Sequence, residues 1–436
     1  MKITIHRGAN QIGGCITEIQ SAAGDKILID FGHNLPKGDQ KAEDKFENRD
    51  TLMQVLQDVS DVYYTHYHGD HIAFEYEIYK AGIRQHIGGM ALKMLRTLKQ
   101  HLQKADELKD ASAKSLEALA HFETYKAART ETIGDISITP YFVSHSAVDA
   151  YMFLIECDGV TILHTGDFRD HGYLGGGLMK NLKCNIVPKN VDVLISEGTM
   201  LARKDEEVMS EWELLDIAED IMDEYKNVFV LCSSTDADRI ATMYQATRRC
   251  SHNIRWFVTD TYQGKQIQNL RNSPIRFYSS IVYRDFGYDH DKVLTDMLKD
   301  GFTMLVRDSA SFEKYLEEIV PQIDLNQTVL IYSQFSGYID PGHPAFNQST
   351  YNFVRKYPWH LEYLHTSGHA PQQTLREVCE FVNPSMAIIP IHREAQSDLS
   401  VLGLSPKLQE RIVTQSTELT KDGYWNDTPV TIEIKD

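Results

Sequence analysis

The six residues His66-Tyr-His68-Gly-Asp70-His71 are the densest group of metal-ligating side chains in this 436-residue sequence. The run Asp61-Val-Tyr-Tyr64 leads straight into them and predicts a strand. Residues two apart on an extended segment point the same way, so His66 and His68 can face one ion. Gly69 then turns the chain and lets Asp70 and His71 swing toward a neighbouring ion. Imidazole nitrogens and carboxylates are suitable ligands for zinc and ions like it. The competing reading is a surface histidine cluster, but three His and one Asp in six residues are hard to explain by packing.

A catalytic centre needs further ligands from elsewhere in the fold. His145 lies in Phe142-Val-Ser-His145, Asp167 in His164-Thr-Gly-Asp167, and His392 in Ile388-Ile-Pro-Ile-His392. Each closes an apolar strand candidate, and a carboxylate at Asp167 could bridge two ions. Taken singly, each reads as an ordinary core or loop residue. Beside the first cluster that reading weakens sharply.

The elements that must position these residues are short apolar strands alternating with helical stretches, the pattern of an α/β chain. The strand candidates are residues 3–5, 27–31, 62–65, 141–144, 161–165, 191–196, 228–232, 329–332, 361–365 and 386–391. Several end in a polar residue, which is where an α/β sheet carries its chemistry. From Ala91 to Ala128 the spacing of Leu92, Leu95, Leu98 and Leu102 predicts a helical hairpin on the surface. His86, His101 and His121 in and near it read as surface histidines. The charged stretch from Arg203 to Glu207 predicts a solvated loop, a helix start or a domain boundary. From there to about Ser349 the chain has strands and helices of its own but no obvious metal ligand, so it reads as an inserted module. Arg248, Arg249 and Arg255 could line a groove in that module, although such runs are more often simply solvated.

Length and composition fit this plan. The chain is too long for one ordinary core and suits two domains, and 42% hydrophobic residues allow a large core. A formal net charge of -18 argues against a protein that coats nucleic acid by charge alone. It leaves a nuclease open, because bound metal and a local basic groove can supply positive field. The 6 cysteines are scattered without a CxxC pair, which predicts reduced, mostly buried thiols. The N-terminus has no apolar signal core and no run is long enough to span a membrane, so a cytoplasmic enzyme is the default expectation.

With these motifs in hand, the sequence resembles the metallo-β-lactamase superfamily. His66, His68, Asp70 and His71 match its HxHxDH motif, and His145, Asp167 and His392 follow in the family's order. The opening Gly8-Ala-Asn-Gln-Ile-Gly13-Gly14 and Ile27-Leu-Ile-Asp30-Phe-Gly32 look like its first strands. The likeness narrows to the β-CASP nucleases and, within them, to ribonuclease J-like proteins, through Glu197 in Leu194-Ile-Ser-Glu197, His369 in His365-Thr-Ser-Gly-His369-Ala and His392 itself. The chain departs from that group at Gln11 and Cys15, where Glu and Asn are usual, and at Arg393, where Gly is usual.

The resemblance implies an αββα sandwich with an inserted α/β β-CASP domain: residues 1–199 and 350–436 form the metallo-β-lactamase domain, and 200–349 the insertion, with a substrate channel between them. It also implies two divalent ions, zinc or alternatively manganese. One is held by His66, His68 and His145 and the other by Asp70, His71 and His392, with Asp167 between. Two ions about 3.5–4 Å apart can clamp a phosphodiester while a metal-activated hydroxide attacks phosphorus. In this scheme Asp70 and Glu197 belong to the catalytic group. Glu197 orients a ligand, and His369 donates a proton to the leaving oxygen or stabilises the transition state as a cation. Ser146, Asp149, Ser233, Ser234, Thr366, Ser367 and Gly368 are the implied substrate contacts. RNA as partner rests on the resemblance alone, since nothing in the sequence reads a 2′-hydroxyl. A DNA-directed nuclease, a small-molecule ester, thioester or lactone hydrolase, and a non-catalytic binding module are the alternatives. A homo-oligomer is left open.

Overall fold

The structure, a computed structural model, describes residues 1–36, 44–203, 208–251, 255–413 and 429–434. These divide into two compact units, one from the two ends of the chain and one comprising Val208–Ser367.

The first unit holds two sheets. One has seven strands, in the order 430–433, 2–7, 16–20, 26–29, 61–63, 84–88 and 123–125. The other has six, in the order 387–391, 193–197, 160–164, 150–157, 136–143 and 131–133. Successive side chains of a strand point to opposite faces, and the second sheet uses both. Ile162, Ile195, Ile389, Phe153 and Ile155 meet Ile3, Ile5, Ile19, Ile27, Ile29 and Tyr63 of the first sheet in one core. Their neighbours Leu163, Leu194, Ile388, Met152 and Leu154 face the other way, into a second core with Leu375, Val378, Cys379 and Val382. Those four lie on one stripe of the helix Gln372–Val382, at the i, i+3, i+4, i+7 spacing of an amphipathic helix. Full burial of each Leu or Val is worth about 1.5–3 kcal/mol relative to exposure. Helix against sheet, sheet against sheet, is the layering that the resemblance implies.

The second unit is a six-stranded sheet whose pairings are all parallel, in the order 284–285, 256–259, 302–306, 227–232, 328–333 and 360–363. Its core includes Phe229, Leu231, Val258, Phe302, Met304, Leu330 and Tyr332.

All ten anticipated strands are present, and several details differ from expectation. The inserted unit runs on past residue 349 to Ser367. The reason is pairing: His360–Tyr363 lies parallel beside Thr328–Ser333 and completes that sheet. The hairpin is two helices, Gly89–Leu102 and Lys109–Leu119, but its expected tail holds the strand Glu123–Tyr125, which pairs with Arg84–Gly88. His86 is buried rather than on the surface: it stacks on Tyr63, ring centroids 4.2 Å apart, with Nε2 2.7 Å from Asp61 Oδ1. His101 is half-buried and His121 exposed. Of the three arginines, Arg248 and Arg249 are exposed. Arg249 pairs with Asp216 and Glu219, and Arg255 is largely buried and donates to the Tyr225 carbonyl. Of the stretch 203–207, only Arg203 lies within the described residues. Among the described residues no helix is long and apolar enough to cross a membrane.

Candidate metal centre

The first unit gathers its titratable residues at strand ends. His66–His71 follows Asp61–Tyr63, His145 follows Ile136–Val143, Asp167 follows Val160–His164, Glu197 closes Val193–Glu197, and His392 follows Ala387–Ile391. Parallel register aligns these ends: Ile195 pairs with His164 and with Ile389, and Glu197 with Ile391. The loop carrying the first cluster needs Gly32, because a Cβ there would fall 1.8 Å from the Asp70 carbonyl oxygen. His392 has φ 51°, a left-handed conformation that disfavours a side chain. Its N–H donates to the Gly8 carbonyl at 2.6 Å, which helps hold it there.

Ligand atoms of His66, His68 and His145 lie within 4.8 Å of one another, and so do those of His66, His71 and Asp167. His145 Nε2 is 3.2 Å from His68 Nδ1. Asp167 Oδ2 touches both ends of the cluster, 3.9 Å from His145 Nε2, 3.1 Å from His71 Nε2 and 3.7 Å from His392 Nε2. Asp70 Oδ2 is 3.1 Å from His392 Nε2 and 3.9 Å from His71 Nε2. All seven candidate ligands therefore converge on one place.

The far nitrogens of these rings are tied down, as metal-binding histidines require. His71 Nδ1 donates to Asp30 Oδ2 at 2.8 Å. Asp30 in turn accepts from Thr65 N and Oγ1, and Thr65 Oγ1 stands 3.0 Å from His66 Nδ1. His145 Nδ1 donates to the Gly368 carbonyl at 2.6 Å. Thr199 Oγ1 donates to Glu197 Oε2 at 2.8 Å and takes the proton of His392 Nδ1 at 2.7 Å. Each of these four rings then turns its Nε2 toward the centre. His66 Nε2 is buried and has no hydrogen-bond partner, and His71 Nε2 faces the Asp167 carboxylate at 3.1 Å. A buried polar atom without a partner, such as His66 Nε2, costs free energy unless something binds it. The donor chemistry and that orphaned nitrogen both fit divalent cations.

The electrostatics agree. Burial pushes His66 and His145 well below the usual histidine range, and His68 down to about 4, so these rings are neutral and able to ligate. Burial also opposes charge on His71, but Asp167, Cys15, Asp30 and Asp70 together push it well up. Burial likewise works against ionisation of Asp70, yet His71 and His392 hold it below the carboxylate range.

His369 stands beside these groups. Its Nδ1 is 3.0 Å from Glu197 Oε2 and 3.2 Å from Thr199 Oγ1. Burial disfavours its charged form, but Glu197 and Asp167 outweigh this and raise it. Glu197 also accepts from Phe168 N at 3.0 Å, so it is fixed from two sides. Ser146 is half-buried, and Gly368 is what lets it approach: a Cβ on Gly368 would lie 2.7 Å from Ser146 Oγ.

Other implied substrate contacts are used differently. Asp149 Oδ2 accepts from Met90 N at 2.7 Å and Ala91 N at 3.1 Å, capping the helix Gly89–Leu102, while Oδ1 accepts from Tyr151 OH. Its carboxylate is an anchor, and repulsion of a phosphate argues the same way. Asp149→Ala is expected to cost about 2 kcal/mol of stability, the upper range for a lost cap, with little change in KM. Urea denaturation beside initial rates checks this, and a KM effect without destabilisation would return Asp149 to the substrate. In the second unit Thr366 Oγ1 donates to the Met209 carbonyl at 2.6 Å, so its proton is committed. Ser233 Oγ lies 3.0 Å from Thr235 Oγ1, and Ser234 Oγ accepts from Gln263 at 3.4 Å. Ser367 is half-buried.

Asp30, Thr65 and Thr199 went unassigned in the sequence, although Asp30 sits in a quoted motif. A strand-end Asp ahead of an HxHxDH motif, and a Thr two residues past a strand-end Glu, are the signals that could have marked them.

No family model matches the chain. It is similar to curated Ribonuclease J proteins of Helicobacter pylori: 24% identical over 418 residues to that of strain B128, and 23% over 418 residues to that of strain ATCC 700392 / 26695. Each match covers 90% of this chain and 56% of the relative, so the chain spans a little over half the length of the curated relatives it matches. A crystal structure of a protein of unknown function from Enterococcus faecalis V583 has a TM-score of 0.70 and 17% identity, covering 99% of both chains. The α/β fold is shared with that protein along the whole chain.

Proposed function

We propose that this chain is a ribonuclease J-like hydrolase that cleaves phosphodiester bonds in RNA with two divalent metal ions, zinc or alternatively manganese. The observation that carries the reading is the convergence of seven candidate ligands whose ring nitrogens and carboxylate oxygens face one another. Similarity to Ribonuclease J over 90% of the chain supports RNA as substrate. In this reading Val208–Ser367 is the β-CASP module.

His66, His68 and His145 would hold one ion, Asp70, His71 and His392 the other, and Asp167 both. When bound, the ions would supply activated water and neutralise charge on a phosphoryl group. The remaining work falls to the chain. Asp30, Thr65, Gly368 and Thr199 fix ring orientation and tautomer, so that lone pairs face inward without rearrangement. Glu197 and Thr199 hold His369 through Nδ1, and its imidazole supplies the proton a leaving oxygen needs. The Ser146 hydroxyl is placed to donate to a phosphate oxygen.

The test is metal-loaded protein incubated with end-labelled RNA and DNA of different 5′ ends, beside a thioester and a lactone. The expected outcome is a ladder or mononucleotide release from RNA. Turnover of DNA alone would redirect the reading to a DNA nuclease. Turnover of the ester or lactone alone would overturn phosphodiester chemistry.

A further inference from the structure

Cys15 stands where the ribonuclease J-like pattern has Asn, and the structure places its sulfur at the centre. Ligand atoms of Cys15, His71 and His392 lie within 4.8 Å of one another. The residue is 1% exposed and cannot easily turn away. Its N–H donates to the Asp70 carbonyl at 3.0 Å, and its carbonyl accepts from Gly32 N at 3.1 Å. The sulfur rests against the Gly8 backbone, where a Cβ would come within 3.1 Å of it. The Gly8 carbonyl also holds His392 through its N–H. The thiol is thus fixed to the same two backbone stretches that fix Asp70 and His392. Beside it, the buried His71 Nε2 faces the Asp167 carboxylate at 3.1 Å, and the neighbouring His66 Nε2 is buried without a hydrogen-bond partner. Among the described residues no other cysteine joins such a group.

We propose that Cys15 is a sulfur ligand of the ion held by Asp70, His71 and His392, and that it makes this site selective for zinc, cobalt or ferrous iron over manganese and magnesium. The inference rests on the metal-dependent reading of the centre. A thiol bound to such an ion is deprotonated outright. Its S–H proton passes to solvent as the sulfur–metal bond forms. Thiolate is a soft donor and favours these ions, whereas a site of carboxylate and amide oxygens also suits manganese and magnesium. With His66, His68 and His145 on one side and a mixed nitrogen, oxygen and sulfur set on the other, the two sites become chemically unequal. They should then fill in a defined order.

The experiment titrates metal-free protein with Co²⁺ while recording visible and near-ultraviolet absorption, on wild type, Cys15→Ser and Cys15→Asn. The expected result is a thiolate-to-cobalt charge-transfer band that grows with only one of two equivalents. Both variants should lose that band and keep the visible cobalt bands. Zinc-over-manganese preference in competition should fall by about 10- to 100-fold, the usual size of a perturbed metal site. Wild-type protein that binds two equivalents without the band overturns the ligation of Cys15 but leaves the metal centre standing. Variants that keep the band overturn it too. Failure to take up cobalt at all removes the metal-dependent reading and this inference with it. The wild-type band decides even where a variant does not fold.

Discussion

Asp167→Ala is expected to lose bound metal and phosphodiesterase activity together, by about 10³-fold or more in kcat/KM. Asp167 is the residue whose oxygen lies within 3.9 Å of ligand nitrogens from both halves of the cluster. Burial opposes its ionisation, yet His392, His71 and His369 keep it well below the carboxylate range, so it is a full negative charge at the middle of the site. Its removal leaves the imidazoles without the anion that offsets cations bound among them. Loss of metal-supplied charge stabilisation amounts to several kcal/mol, and each 1.36 kcal/mol or so is tenfold in rate. Metal content and initial rates on the same preparations check this. An Asp167→Ala protein that keeps both ions would show that Asp167 does not join the two sites.

His369→Ala should give the opposite combination: metal retained, rate reduced by about 10²–10⁴-fold, the range for loss of general acid catalysis. His369 lies outside the seven ligands, and its ordered nitrogen, Nδ1, is taken by Glu197 and Thr199. Its ring packs against those of His145 and His392, centroids 5.2 and 5.3 Å apart, while Thr199 keeps its own bonds to Glu197 and His392. A near-normal rate would remove the proton-donor role. Loss of an ion would move His369 into the coordination shell, which its grouping with Asp167, Glu197 and His392 makes a concrete alternative outcome.

The residues of the centre were legible because each belongs to a short contiguous motif at the end of an apolar strand. A strand of period two followed by His-x-His fixes local geometry whatever the rest of the chain does. Their supports were not legible in the same way. Thr199 lies 193 residues from the His392 it orients, and Asp30 lies 41 from His71, so only the fold brings them together. Asp149 shows the converse. Beside His145 and Ser146 it looks like part of a phosphate loop, and what decides its role is a helix that begins 60 residues earlier, at Gly89.

Strand recognition failed where burial is two-sided or pairing is short. Ala150–Cys157 is almost continuously apolar because both its faces meet cores, so it has no alternation to read. Glu123–Tyr125 and Glu131–Ile133 are three-residue strands at sheet edges, held by their neighbours rather than by their own pattern. His86 looked like a surface residue because its partner, Asp61, sits across a strand pair that sequence spacing does not reveal.

The most direct test of the proposed metal-dependent nuclease activity is the rate of cleavage of end-labelled RNA by metal-free protein as zinc, and separately manganese, is added in known equivalents. The expected curve starts at background, rises steeply with the second equivalent and levels at two ions per chain. Cleavage by the fully chelated protein, a plateau at one ion, or no cleavage with two ions bound would each contradict the dinuclear centre as the source of activity.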